Sequence, residues 1–105
     1  MKNQNTTGKS CATTMKLLGD FWTLRILDAL KIEEVRFCEL QRILDNVNPV
    51  TLTKRLKTLE DARLVVRSEE TVDKISVTYK LTELGQETIP IIKALNRFSE
   101  KARSY

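Results

Sequence analysis

The sequence predicts a mainly α fold closed by a small two-stranded β-wing, an α+β architecture. Three observations lead there. Apolar residues recur at helical spacing from about residue 12 to about residue 60. Two short helical segments in the middle of the chain are joined by a turn of Asp45, Asn46, Val47 and Asn48. Directly afterwards the apolar period drops from about 3.6 to 2. In that order they describe a winged helix-turn-helix carrying extra N- and C-terminal helices.

Each element has its own signal. The polar stretch 1–10 reads as a disordered arm, and residues 11–105 as one domain. The spacing predicts a first helix over 12–18, stopped at Gly19. Asp20 can cap a second helix, in which Trp22, Ile26 and Leu30 form one apolar row while Leu24 and Leu27 form another. Apolar on more than one side, this is the expected central core helix. A third segment, 36–44, places Phe37, Leu40, Ile43 and Leu44 on one face. After the turn, Asn48 is a good N-cap and Pro49 suits the first helical position, where a missing N–H costs nothing. Leu52, Leu56 and Leu59 then mark the buried stripe of a fourth helix. Leu64, Val65 and Val66 begin a strand, and 75–82 alternates, with Ile75, Val77, Tyr79 and Leu81 on one side. The polar run 69–74 reads as the exposed tip of that hairpin. A long amphipathic C-terminal helix is expected from about Thr82, through Leu84, Ile91, Ile92, Leu95, Phe98 and Ala102, with Pro90 kinking or splitting it. The first and last helices leave apolar surface over once the middle elements have formed a core. A second copy of the chain is the simplest partner for it.

Composition narrows the function. With 105 residues, 41% hydrophobic and 30% charged, the chain fits one soluble domain and neither a disordered nor a membrane protein. The N-terminal segment has no apolar core of a signal peptide, so the cytoplasm is the default. There is no histidine, and the two cysteines, Cys11 and Cys38, do not supply a zinc ligand set. No metal or cofactor is expected, and with no phosphate-binding glycine motif or paired carboxylates an enzyme is not expected either. In a reducing compartment the cysteines read as free thiols. Eighteen basic residues against fourteen acidic ones, a net +4, mildly favour a polyanionic partner.

Candidate DNA contacts concentrate on the fourth helix. Thr51, Lys54, Arg55, Lys57 and Thr58 surround its leucine stripe, with 51, 54 and 58 expected to project outward. A recognition helix reads base edges in the major groove from its N-terminal portion. Thr51 suits a thymine methyl or a phosphate, and Lys54 suits guanine O6 and N7. Arg55, nearer the stripe, is better placed for a phosphate, and Lys57 and the capping Asn48 complete the set. Arg36, opening the third helix, and Lys74, at the wing tip, are further phosphate candidates, although Glu69, Glu70 and Asp73 near Lys74 would repel a phosphate. Trp22 and Tyr79 lie on apolar faces and read as core rather than as base-stacking platforms, and Cys38 reads as a small core residue. Cys11 precedes the first helix, a position where a helix dipole favours a reactive thiolate. From its residues alone the inert reading of this thiol is the favoured one.

Five segments, in order and at consistent separations, resemble the HxlR-type family of bacterial winged helix-turn-helix transcriptional regulators. They are Cys11 ahead of the first helix, L-L-G-D-F-W-T-L-R-I-L (17–27), R-F-C-E-L (36–40), L-T-K-R-L-K-T-L-E (52–60) and Y-K-L-T-E-L-G (79–85), with Pro90 beyond. The resemblance implies a homodimer through the first and last helices, bound to double-stranded DNA at a palindromic operator. Half-sites would lie about one helical turn, ~34 Å, apart. It also implies that Cys11 is a candidate redox sensor, since some relatives sense oxidants, aldehydes or quinones there. No residue set identifies a small-molecule effector. The sequence departs from the family pattern at Phe21, where a basic residue is usual before the tryptophan, and at Ala12, where proline is common. It departs again at 74–76 in the wing, and at Arg63, which stands where a glycine ends the recognition helix. The competing reading is a winged-helix protein–protein interaction module whose basic helix meets an acidic partner without specific DNA binding.

Overall fold

The structure, a computed structural model, describes residues 11–71 and 76–104. In chain order it contains α1 (11–18), α2 (Phe21–Ala29), β1 (Val35–Arg36), α3 (Phe37–Ile43), α4 (Pro49–Asp61), β2 (Val65–Glu70), β3 (Ser76–Leu81), α5 (Glu83–Gln86) and α6 (Ile89–Ser104). The segment 1–10 and the wing residues 72–75, Lys74 and Ile75 included, lie outside the described residues.

The helix boundaries follow from capping chemistry. Asp20 accepts from the Thr23 amide at 2.9 Å and opens α2, and Asn48 accepts from the Val50 amide at 2.7 Å and opens α4, with Pro49 at the first position as expected. α3 and α4 both end in left-handed residues. Beyond α3 these are Asp45 and Asn46, at φ 59° and 58°, types that tolerate this conformation. Beyond α4 it is Arg63 at φ 65°, the position where the family pattern has glycine. There the Arg63 amide donates to Glu60 and the Leu64 amide to Leu59, at 2.9 and 3.0 Å, the paired bonds of a Schellman cap.

The core is one cluster. Ile26, Leu27 and Leu30 of the α2 region meet Leu40 and Leu44, the Leu52–Leu56–Leu59 stripe, Leu64 and Val65, Tyr79 and Leu81, and Ile92 of α6. Each fully buried leucine is worth roughly 1.5–3 kcal/mol over an exposed one. α2 therefore is the central helix, in contact with α3, α4 and α6. Tyr79 is buried, and burial pushes its phenol above the ordinary 10.0, as fits a core residue. Trp22 is half-buried against the same cluster.

Several expectations are corrected. The sheet has three strands, not two, in the order β1-β3-β2, all antiparallel. Val35 and Arg36 pair with Tyr79 and Thr78. Two residues are too few for any alternation to show in the sequence, and what they contribute is backbone pairing for the inner edge of β3. Glu69 and Glu70 are not hairpin tip but strand, opposite Val77 and Ser76. The C-terminal helical region is indeed in two pieces, but the break falls at Glu87 and Thr88, ahead of Pro90. Pro90 sits in the first turn of α6, where no amide is needed. Thr82 locks the preceding corner. Its hydroxyl accepts from the Gly85 amide at 3.0 Å and donates to the Arg63 carbonyl at 2.7 Å, and its amide donates to the Leu64 carbonyl. Gly85 lies so close to that carbonyl that a Cβ would overlap it. Cys38 is exposed rather than core, because α3 buries Leu40 and Leu44 and turns position 38 outward, and Ile43 is likewise exposed.

Candidate nucleic-acid interface

The open surface of α4 is set by how its leucine stripe is seated. With Leu52, Leu56 and Leu59 buried, the exposed positions are Pro49, Val50, Thr53, Lys54, Lys57, Thr58 and, at the last turn, Asp61. Lys54 therefore points outward as expected. Thr51, expected outward, is half-buried, and Thr53 takes its place on the free face. Both threonines lie about 100° of helical rotation from the middle leucine face, one on each flank, so the stripe alone could not choose between them.

Arg55 is also differently employed. Its Nε donates to Asp20 Oδ2 at 2.8 Å and its Nη2 to Asp20 Oδ1 at 3.2 Å, a two-pronged ion pair to the corner between α1 and α2. That guanidinium, hydrogen-bonded to the carboxylate, holds Asp20 below its ordinary 3.8; the Thr23 bonds act in the same sense and partial burial opposes them. Arg55 is pushed upward in return, so the pair stays fully charged. Its charge is spent inside the molecule, and the phosphate role expected from its place beside the stripe does not match this geometry. Lys57 also has an acidic neighbour, Asp61 at 3.5 Å, but both groups are largely exposed and water screens the pair. Lys54 and Arg36 have no ion-pair partner among the described residues.

Arg36 caps α3 without a side-chain cap bond and is exposed. It lines a cleft of about 580 Å³ together with Phe37, Cys38, Thr53 of α4, and Arg67, Ser76, Val77 and Tyr79 of the wing strands. This cleft runs between the recognition helix and the wing and brings together what the sequence lists apart. Arg67 was not singled out from the sequence. β2 carries no alternation that would have marked it; the strand register puts it opposite Tyr79, and its only ion-pair partner among the described residues is Glu69, at 3.8 Å. The helix-turn-helix angle is held from behind: Gln41 donates to the Val47 carbonyl at 2.9 Å, and Arg25 of α2 reaches the Ile43 carbonyl at 3.4 Å and Asp45 at 3.7 Å. Asn48 spends its side-chain oxygen on the α4 cap.

Residues 17–104, nearly all of the described fold, match the HxlR-like helix-turn-helix family. The chain belongs to the HxlR-like helix-turn-helix family. It is a transcriptional regulator of the winged helix-turn-helix type. Among its relatives is the HTH-type transcriptional regulator YdzF of Bacillus subtilis, 34% identical over 80 residues, 75% of this chain and 73% of the relative. The regulator is similar in structure to the redox regulator HypR in its reduced form, with a TM-score of 0.82 and 27% identity, covering 91% of this chain and 99% of that one. It is also similar to the reduced transcriptional regulator YodB of B. subtilis, with a TM-score of 0.77 and 26% identity, covering 86% and 88%. YodB is known in diamide-treated and quinone-bound forms as well.

The regulator's other sequence-predicted site, Cys11, is exposed and is the first described residue of α1. Cys38 is a second free, exposed thiol. No group of three His, Cys, Asp or Glu residues is placed to hold a metal, and no helix is long and apolar enough to cross a membrane, among the described residues.

Proposed function

We propose that this regulator binds double-stranded DNA sequence-specifically as a homodimer in the cytoplasm, without catalytic activity, at an inverted repeat whose half-sites are about one helical turn, ~34 Å, apart. The observation that carries the reading is the pairing of an open α4 face, Thr53 and Lys54, with the arginine-lined cleft between that helix and the wing. Lys54 reads a base edge, where a good bidentate contact is worth about 1–3 kcal/mol of discrimination. Arg36, Arg67 and Lys57 meet phosphates. Thr53 replaces Thr51 at the groove, Asn48 acts by capping α4, and Lys74 remains a candidate phosphate contact. The functional unit is the domain 11–105.

Dimerisation is supported by apolar surface on the terminal helices. Ile91, Leu95 and Phe98 of α6 are 46%, 44% and 70% exposed and share one helical stripe, and Met15 of α1 is 68% exposed. Such a face on a soluble protein calls for a partner, and a twofold axis uses it on both copies. Cys11, exposed on α1, is the proposed sensor of oxidants or electrophiles, in keeping with HypR and YodB. Its conversion to a sulfenic acid or mixed disulfide would act at that interface.

The test is selection from random duplex DNA followed by anisotropy on the enriched site at two salt concentrations. An enriched inverted repeat with steep salt dependence is expected. Lys54→Ala should weaken operator binding and change base preference at one position per half-site while leaving Tm within a degree or two. Equal loss on every sequence would remove the base-reading role, and absence of any enriched site would favour an adaptor module. Loss of operator binding on treatment with diamide, abolished by Cys11→Ser, tests the sensor.

A further inference from the structure

We propose that Asp20 and Arg55 form a positioning pair that sets the rotation of the recognition helix about its own axis, so that discrimination between sequences depends on it while nonspecific affinity does not. The inference rests on the DNA-binding reading above and deepens it.

The seat of α4 is otherwise apolar. Leu52, Leu56 and Leu59 hold the helix against the core, but apolar contact is non-directional and resists rolling weakly. The Asp20–Arg55 contact is directional. Two bonds, at 2.8 and 3.2 Å, hold the plane of the guanidinium against the plane of the carboxylate. The carboxylate is itself immobilised, since Oδ2 accepts from both the Thr23 amide and the Thr23 hydroxyl, at 2.9 and 3.0 Å, and Thr23 is buried. The anchor is thus the start of the central core helix. Its reach matters because side-chain ends lie roughly 5–6 Å or more from a helix axis, so a roll of about 10° moves them by ~1 Å. A shift of ~1 Å takes a base-edge hydrogen bond out of its narrow distance range. A phosphate contact, governed by charge at a distance, barely changes.

The two partners make different predictions, which separates positioning from mere stability. Asp20→Asn keeps an N-cap acceptor for α2 but releases a charged guanidinium toward the DNA. Arg55→Gln removes the pair and the charge together. Anisotropy on the selected operator and on a scrambled duplex, across a salt series, is the assay, with thermal melts alongside. Both variants are expected to lose about tenfold or more in the operator-to-scrambled ratio. Asp20→Asn should bind scrambled duplex at least as well as the parent chain, with a salt slope steeper by about 0.9 per added phosphate contact; Arg55→Gln should leave the slope unchanged. Should Arg55→Gln fail to fold, Arg55→Lys keeps the charge without the two-pronged geometry and is expected to lose discrimination alike. A ratio preserved within twofold in the folded variants, or operator and scrambled affinities falling together in step with Tm, overturns the proposal. A parent chain that shows no discrimination overturns the DNA reading itself, and this inference with it.

Discussion

Replacing Phe98 by alanine probes the assembly most directly. The ring is 70% exposed in the single chain, so it contributes little to the fold of one protomer and much to any interface that covers it. Fully burying a phenylalanine is worth roughly 1.5–3 kcal/mol, and the share still exposed on Phe98 leaves about 1–2 kcal/mol for the interface. A twofold dimer uses the residue twice, which brings the loss to about 2–4 kcal/mol of dimerisation free energy. At 1.4 kcal/mol per decade, the dimer dissociation constant should rise roughly 30- to 1,000-fold. Leu95 and Ile91, on the same stripe and 44% and 46% exposed, should each give a smaller effect in the same direction. Sedimentation equilibrium over a wide concentration range reads the constant, and a thermal melt at a concentration where both proteins are monomeric checks the fold. Binding to an inverted repeat should fall with dimerisation while binding to a single half-site stays constant. A dissociation constant unchanged by Phe98→Ala, or a parent chain that is monomeric at high concentration, refutes the use of this face.

Two further perturbations test the fold. Arg63 occupies a left-handed cap at φ 65°, a conformation costing an L-residue about 1–2 kcal/mol. Part of that is offset because glycine gains unfolded-state freedom worth roughly 0.4–1 kcal/mol. Arg63→Gly should therefore stabilise by a few tenths to about 1 kcal/mol, raising Tm by a few degrees; a lower Tm would mean that the side chain does something the cap geometry does not reveal. Asp20 is held below its ordinary 3.8 by Arg55. A depressed carboxylate contributes stability fully present above its unfolded value and lost as pH falls through the native one. Acid titration of stability below about pH 4 should accordingly be shallower for Asp20→Asn than for the parent chain, and parallel curves would contradict the charge assignment.

What the sequence determined by itself is local chemistry. The Asp20 and Asn48 caps, Pro49 at the first helical turn, the Leu52–Leu56–Leu59 stripe and the alternation of Val77, Tyr79 and Leu81 each act within a few residues, and all appear in the structure where their spacing puts them. The left-handed Arg63 was legible only through the family resemblance, which places a glycine at that cap. What tertiary structure alone decided involves choices that local spacing leaves equal. Thr51 and Thr53 flank the leucine stripe symmetrically, and only the packing of α4 left 53 exposed. Cys38 sits beside a phenylalanine on an amphipathic segment, yet the seating of Leu40 turns it to the surface. β1 is two residues long and exists because β3 offers it an edge. Arg55 looked like a phosphate contact because its partner, Asp20, lies 35 residues away in the chain. A period shows which face of a helix is apolar, but the partner that meets each flank is set by contacts between segments far apart, and those exist only once the core has closed.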